Sequence, residues 1–537
     1  MTTPSARAAR PALAAVILIL LSVTTGAAPK EPFAGTDDKW RHYQSPNFEL
    51  YSRMGDADSR TLLYEVEVLR ALFLRTLKVE SRAPSPVTIF YFKDDADFRA
   101  YLRDEYRRNE RYRAFYLPDS DRGVMLLAPL DDSRNGNQLA LSSYVNHLFR
   151  MTGERAPLWF QAGYAHLFET LEVQFERVIF GKPSPGRVRL LQQQKLMPLE
   201  AMMGIDGANP LFSDEDGTAL FYAQSWAFMH YLTLGQQNLS REGIERFFKF
   251  ARSRPNADPD ERRAAFEQCL GLSLEKMNRA IDTYVVSGRY SYSRIPLPEL
   301  PVRSTYDRRD VSREEMRERL GEVAYRSRQD PAGRFGLLDA LSRNRRDIRA
   351  LEALGAVAHR TGDRDEFMTR WADAVEAGTE NPSVIRQFAQ LESSRWFKSV
   401  DYYFRLPEDR TKQLRELLQR SIKCAPLQSD AYEMLAWVES AAPKPEPANV
   451  NLVQSKFASL DDQHRTLLAL AMIRLRVGDR ATAEQLLSEL EKGDASLSVR
   501  QGVESVRAGM ENRPPRRLVT DKQNKGRITF QMDLRPQ

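Results

Sequence analysis

Leu141–Thr170 reads LSSYVNHLFRMTGERAPLWFQAGYAHLFET, and the architecture of the first half of the chain turns on it. Apolar residues at helical spacing predict two amphipathic helices, over Leu139–Met151 and Pro157–Leu171, joined by a short loop. On the first helix Ser143 and His147 stand four residues apart and share a face. On the second, His166 and Glu169 stand at i and i+3, again on one face.

Upstream, Phe48–Tyr51, Val87–Phe92 (VTIFYF) and Gly123–Leu127 (GVMLL) read as short strands, rich in β-branched and aromatic residues and bounded by turn formers. Thr61–Leu77 has helical periodicity between them, and Phe98 and Tyr101 open another helix. From Leu139 to about Ser287 the pattern is almost wholly helical, with further long stretches at Ala219–Leu234 and Ser273–Val286. The expected fold class is therefore α+β, mostly α.

A proline-rich break at Ile295–Val302 (IPLPELPV) removes backbone donors and fixes an extended path, which marks a domain boundary. Residues 313–512 are helical and repeat themselves faintly. With Gly362-Asp363 set on Gly478-Asp479, the residues Leu351, Leu354, Gly355, Phe367, Trp371 and Ala374 fall on Leu467, Leu470, Ala471, Ala483, Leu487 and Leu490. A partial unit ends at Pro426, with Leu414, Leu418 and Ser421 in the second-helix positions. This large/small alternation resembles degenerate tetratricopeptide repeats, stacked hairpins that bury a face only against their neighbours. Residues 513–537, opening Arg513-Pro514-Pro515-Arg516-Arg517, are expected to be a basic flexible tail.

The helix pair resembles the gluzincin-like, peptidase MA-like domain of bacterial envelope proteins, often filed as a domain of unknown function. In that family a helix carries His-Glu-x-x-His, a loop leads to Pro-x-Trp, and the next helix opens Glu-Gly-x-Ala. Pro157, Trp159, Gly163 and Ala165 match the second part, and His147 matches the last His of the first. Trp40 with Ser45-Pro46-Asn47-Phe48, the step Ala114-Phe115-Tyr116, Tyr222-Ala223-Gln224-Ser225-Trp226, and Gly271-Leu272-Ser273 before Tyr284 extend the likeness over about residues 38–290. The resemblance implies a zincin-like domain at 38–290, a linker at 291–312 and a tetratricopeptide-like array at 313–512.

The same resemblance shows what is missing. The family's first ligand position is Ser143, its general-base position Tyr144 and its third-ligand position Ala162; only His147 remains. A complete zinc site supplies on the order of 10 kcal/mol or more, far beyond one imidazole beside a hydroxyl. A phenol with a pKa of about 10 stays protonated at neutral pH and cannot act as the base, and a methyl group offers no donor atom. No cofactor and no catalytic residue is expected. The sharper alternative is a relocated zinc site built from His147, His166 and Glu169, although His166 points about 40° away from the direction of Ala162. Ser143 beside His147 permits a hydrogen bond, but no oxyanion loop or nucleophile elbow accompanies it. His230 is expected to be a satisfied core histidine, and His42, His359 and His464 have no partners at metal spacing.

Composition narrows the rest. A net charge of +6 over 537 residues is mild, and the run Arg103–Arg113 (RDEYRRNERYR) mixes acids with bases, as a solvated helix face does, so no nucleic-acid partner is expected. Arg7 and Arg10, the apolar run Ala12–Val23 and the small residues to Ala28 have the form of a signal peptide over 1–28. That run is shorter than the roughly 20 residues a spanning helix needs, and no cysteine follows it, so a periplasmic or secreted product with no stable span is expected. Cys269 and Cys424 fall in different expected domains and are read as core thiols. Together these point to an exported pseudopeptidase that binds a protein or peptide partner. Its cleft candidates are Ser143, Tyr144, His147, Trp159, Ala162 and His166. A zinc peptidase using the relocated site and a purely structural envelope protein are the alternatives.

Overall fold

The computed structural model describes residues 33–36, 38–77, 87–108, 113–119, 121–129, 138–151, 156–174, 176–235, 238–297, 306–397, 400–424, 426, 429–460, 462–492, 495–520 and 528–531. The expected signal peptide, 1–28, lies outside them. The chain is mostly helical with a small mixed sheet, an α+β arrangement dominated by helix.

Strands β1 (Arg41–Gln44), β2 (Phe48–Ser52), β3 (Val87–Tyr91), β4 (Ala114–Pro118) and β5 (Gly123–Leu127) form most of a six-stranded sheet. Its order is β4-β5-β3-β2-β1 and then a strand from much later in the chain, Asp307–Asp310. β2, β3 and β5 run parallel and the two ends are antiparallel. Helices α1 (Asp56–Leu77), α2 (Asp95–Ala100) and α3 (Asp104–Arg107) fall between these strands. The charged run expected to be one helix face holds, in its described part, only the single turn of α3.

Every residue of β3 and β5 is buried, as parallel strands covered on both faces must be. Alternation along the strands divides the side chains. Leu50, Ile89, Met125 and Leu127 face one way and join a core with α1 and the two helices that carry the candidate site. Tyr51, Phe90, Phe92, Val124 and Leu126 face the other way.

Those site helices are α4 (Gln138–Met151) and α5 (Leu158–Phe168). The stretch expected to continue as helix instead opens with a hairpin, β6 (Glu172–Gln174) and β7 (Arg177–Phe180). The β-branched and aromatic run Val178-Ile179-Phe180, entirely buried, overrides the helical surroundings there. Helices α6 (Pro185–Gln193), α7 (Leu199–Met203), α8 (Glu215–His230), α9 (Arg241–Ser253), α10 (Pro259–Leu270) and α11 (Leu274–Ser287) complete this part. The segment expected to be a linker is built into two sheets: β8 (Ser293–Pro296) pairs with β7, and β9 (Asp307–Asp310) is the late strand on β1.

The remaining helices come mostly in pairs: α12 (Arg313–Arg328) with α13 (Pro331–Arg343), α14 (Ile348–Thr361) with α15 (Arg364–Ala377), and α16 (Pro382–Ser394) with α17 (Glu408–Cys424). They continue as α18 (Ser429–Ala441), α19 (Pro447–Lys456), α20 (Gln463–Arg476), α21 (Arg480–Lys492) and α22 (Leu497–Met510). The two Gly-Asp steps make the same turn. Gly362 and Gly478 take left-handed φ of 81° and 83°, and Asp363 and Asp479 each accept a backbone N–H three residues on. All twelve aligned repeat positions are buried, and Gly355 leaves the space that Trp371 fills.

α12 belongs to this series by sequence but covers the sheet. Its Met316, Leu320, Val323 and Ala324 join Tyr51, Phe90 and Phe92 in one core. Polar contacts cross at the same place. Arg326, fully buried, binds Asp119 at 2.9 Å, Asp121 at 2.7 Å and Glu322 at 2.8 Å. Arg122 reaches Glu352 at 2.7 Å, and Arg349 bridges Glu322 at 2.7 Å and Glu49 at 3.2 Å.

The tail expected to be loose is anchored where it begins. Arg513 pairs with Glu504 at 2.6 Å, Gln501 donates to the Arg516 carbonyl, and β10 (Arg517–Thr520) pairs antiparallel with β11 (Ile528–Gln531). Both cysteines are free, and no helix among the described residues is long and apolar enough to cross a membrane.

Candidate functional site

α4 runs beneath the sheet and presents Ser143, Tyr144 and His147 near the β4 end. Tyr144 is 2% exposed, with its ring 5.0 Å from Phe48 and 5.9 Å from His147. Burial pushes its phenol well above the ordinary tyrosine range, only partly offset by Arg70. Position 144 therefore holds a neutral phenol packed as a hydrophobe. Ser143 is half-buried.

His147 is buried, and its Nδ1 is in hydrogen-bond contact with the hydroxyl of Tyr116, whose ring lies 5.2 Å away. Tyr116 stands on β4 and can lean this way because position 123 on the neighbouring strand is glycine. A Cβ there would collide with the phenol oxygen.

α5 follows Pro157, whose ring fixes the helix start. Trp159 is buried between Phe228 at 5.3 Å and Phe247 at 6.0 Å. Ala162 is 4% exposed and belongs to the core. Its neighbour Gly163 lies against α8, where an added Cβ would sit 2.6 Å from the Ser225 carbonyl oxygen and 2.7 Å from Met229 Cβ. Small residues here let two helix backbones approach closely.

His166 and Glu169 do meet, but on an arginine. His166 Nδ1 is 2.5 Å from Glu169, and Arg187 of α6 reaches Glu169 at 2.6 Å and His166 at 3.0 Å. Arg187 also lies over the Trp226 ring at 5.7 Å. Burial alone would raise the Glu169 carboxyl, but the His166 hydrogen bond and the Arg187 charge outweigh it and hold it at about 2. Burial lowers the His166 pKa, and Arg187 lowers it further against the pull of Glu169.

His230 is a core histidine: its Nε2 lies 2.8 Å from the Gly181 carbonyl, and its Nδ1 accepts from the Tyr284 hydroxyl at 2.7 Å. Its pKa is lowered by burial. His42 leans on the Tyr51 ring, and His359 lies between Phe367 and Trp371; both have pKa values lowered by burial.

The donor set does not fit zinc. The two imidazoles that could serve are committed to Tyr116 and to the Glu169–Arg187 pair, and Ala162 has no donor atom. Among the described residues no group of three or more His, Cys, Asp or Glu is arranged to hold a metal ion. Two residues of the site were not singled out in the sequence for what they do. Tyr116 was visible only as part of the Ala114-Phe115-Tyr116 step, and nothing in the spacing around Arg187 links it to Glu169.

No protein-family model and no curated protein matches the chain.

Proposed function

We propose that this chain is an exported, non-catalytic pseudopeptidase of the cell envelope that binds a protein or peptide partner in an extended form. The observation that carries the reading is Tyr144. The position where a gluzincin-like enzyme keeps its general base is occupied by a neutral, buried phenol packed on Phe48. The Arg187 guanidinium beside Glu169 is already the cation of that corner, which weighs against His147, His166 and Glu169 as a relocated ligand set.

Binding of an extended segment is supported by β4, which ends the larger sheet among the described residues and runs beside α4. Ala128 donates to the Arg113 carbonyl and Asp119 to the Arg122 carbonyl. With the register of β4 on β5, this turns the Ala114 N–H away from β5. A strand added there would gain main-chain hydrogen bonds and place alternate side chains toward His147 and Tyr116.

The test pairs metal analysis with peptide binding on the purified chain. We expect no stoichiometric zinc. We also expect saturable binding of extended synthetic peptides by fluorescence polarisation, lost in Ala114→Pro, which removes the outward donor but spares the β4–β5 bonds. About one zinc per chain, removed by chelator together with a peptidase activity, would overturn the reading.

A further inference from the structure

Most consecutive helices of the second half are joined by short turns, but α16 and α17 are separated by residues 395–407. The described end of this connection crosses three helices. The Val400 carbonyl accepts from Ser505 Oγ of α22 at 2.9 Å. The Tyr402 and Phe404 carbonyls accept from Arg476 of α20 at 2.8 and 3.3 Å. The Leu406 N–H donates to the Ala441 carbonyl of α18 at 2.9 Å. Gly502 and Gly509 make room for it: a Cβ at 502 would lie 3.1 Å from the Val400 side chain, and one at 509 would collide with the Tyr402 ring. The segment is a strap laid over α18, α20 and α22.

Between strap and helices a cavity of about 590 Å³ remains, lined by Phe397, Val400, Trp437, Arg465, Leu468 and Gly502 among others. A smaller one of about 150 Å³ shares Phe397, Trp437 and Arg465 and reaches Ser393. The larger volume lies in the range of small-molecule sites.

Two polar groups here are buried without a partner, and a third is exposed. The indole N–H of Trp437 is buried, as is the Ser393 hydroxyl, and neither has a hydrogen-bond partner among the described residues. The exposed Arg465 guanidinium lies over the Trp437 ring at 5.5 Å and makes no ion pair among the described residues. The nearby acids are engaged. Asp430 pairs with Arg386 at 2.7 Å, Glu433 accepts the Asp462 N–H, and Asp462 accepts the Arg465 N–H as the cap of α20. The first turns of α20 and α22 border the cavity, and their N–H ends favour negative charge.

We propose that this cavity binds a small apolar carboxylate, with its apolar body against Phe397, Trp437 and Leu468 and its carboxylate on Arg465. The strap closes the path an extended chain would take over these helices, so the ligand is compact. This site is separate from the strand edge at β4 and stands or falls independently of it.

The experiment titrates the full chain with 4-phenylbutyrate and decanoate, and with the matching alcohols, by calorimetry and tryptophan fluorescence. We expect saturable, one-to-one binding of at least one acid, at least about tenfold weaker for its alcohol and for Arg465→Gln, as loss of a charge-assisted hydrogen bond implies. The preferred acid tells whether the natural ligand is aromatic or aliphatic. Arg465 is exposed, so its substitution leaves the fold intact. The proposal is overturned by absence of saturable binding of either acid, or by acid binding that neither the alcohol comparison nor Arg465→Gln changes.

Discussion

Glu169 is the residue whose environment says most about the corner where α5 meets α6. Its pKa of about 2 against an ordinary 4.5 means that its contribution to stability is complete above pH 4.5 and fades as pH falls toward 2. His166 works at higher pH. Its pKa is lowered, so below about 6.5 the unfolded chain takes up a proton that the folded chain refuses, and stability falls with pH from there. Arg187→Met leaves the carboxylate buried without its cation and should cost about 3 kcal/mol in urea unfolding. The same change should raise the His166 pKa, read by histidine NMR titration; an unchanged value would mean that Arg187 does not govern this corner. The spacing of His166 and Glu169 in the sequence foretold that they share a face. It could not foretell their partner, because Arg187 comes from another helix and a guanidinium leaves no periodic trace. The packing of the Tyr144 phenol on Phe48 was not readable either, since that contact spans nearly a hundred residues.

Helix packing offers a test of opposite signs. Glycine to alanine inside a helix ordinarily stabilises by about 1 kcal/mol. Gly336→Ala on α13 should do so, since an added Cβ meets nothing within 4 Å. Gly163→Ala should instead destabilise by about 1–3 kcal/mol, because the methyl meets the α8 backbone. Thermal melts of the two variants check the pair, and equal shifts would contradict the close approach of α5 and α8. The long elements were legible. The expected strands Phe48–Tyr51, Val87–Phe92 and Gly123–Leu127, and the helix through Leu77, lie within about a turn of those observed. Short strands whose reason is tertiary were not. β9 is Asp-Arg-Arg-Asp, with no hydrophobic signature, and is a strand because β1 offers it an edge. β6 and β7 were lost in a helical neighbourhood.

The two halves are joined by charge as well as by apolar contact. Glu49 is held at about 2: burial opposes ionisation, but Arg349 and Arg122 outweigh it. Glu322 is held below the ordinary carboxylate range by Arg349 and Arg326 against the same burial. Both carboxylates therefore support the join fully above pH 4.5 and lose that support as pH falls, Glu49 toward pH 2 and Glu322 lower still. Arg326→Met removes the buried cation that Asp119, Asp121 and Glu322 share, leaving them to Arg360, Arg122 and Arg349, and should cost about 3 kcal/mol. Calorimetry of that variant, or of the native chain under acid, should resolve two transitions where the native chain at neutral pH shows one; a single transition throughout would place the join elsewhere. The sequence divided the chain at its prolines, where backbone chemistry changes, while the packing divides it one helix later. α12 is counted with one half and roofs the other. A chain cut at the prolines would keep Trp40, Phe98 and Tyr101 around Phe92 but lose Met316, Leu320, Val323 and Ala324 from the same core. A first half expressed alone is therefore expected to be sticky, associating through the apolar side that α12 covers.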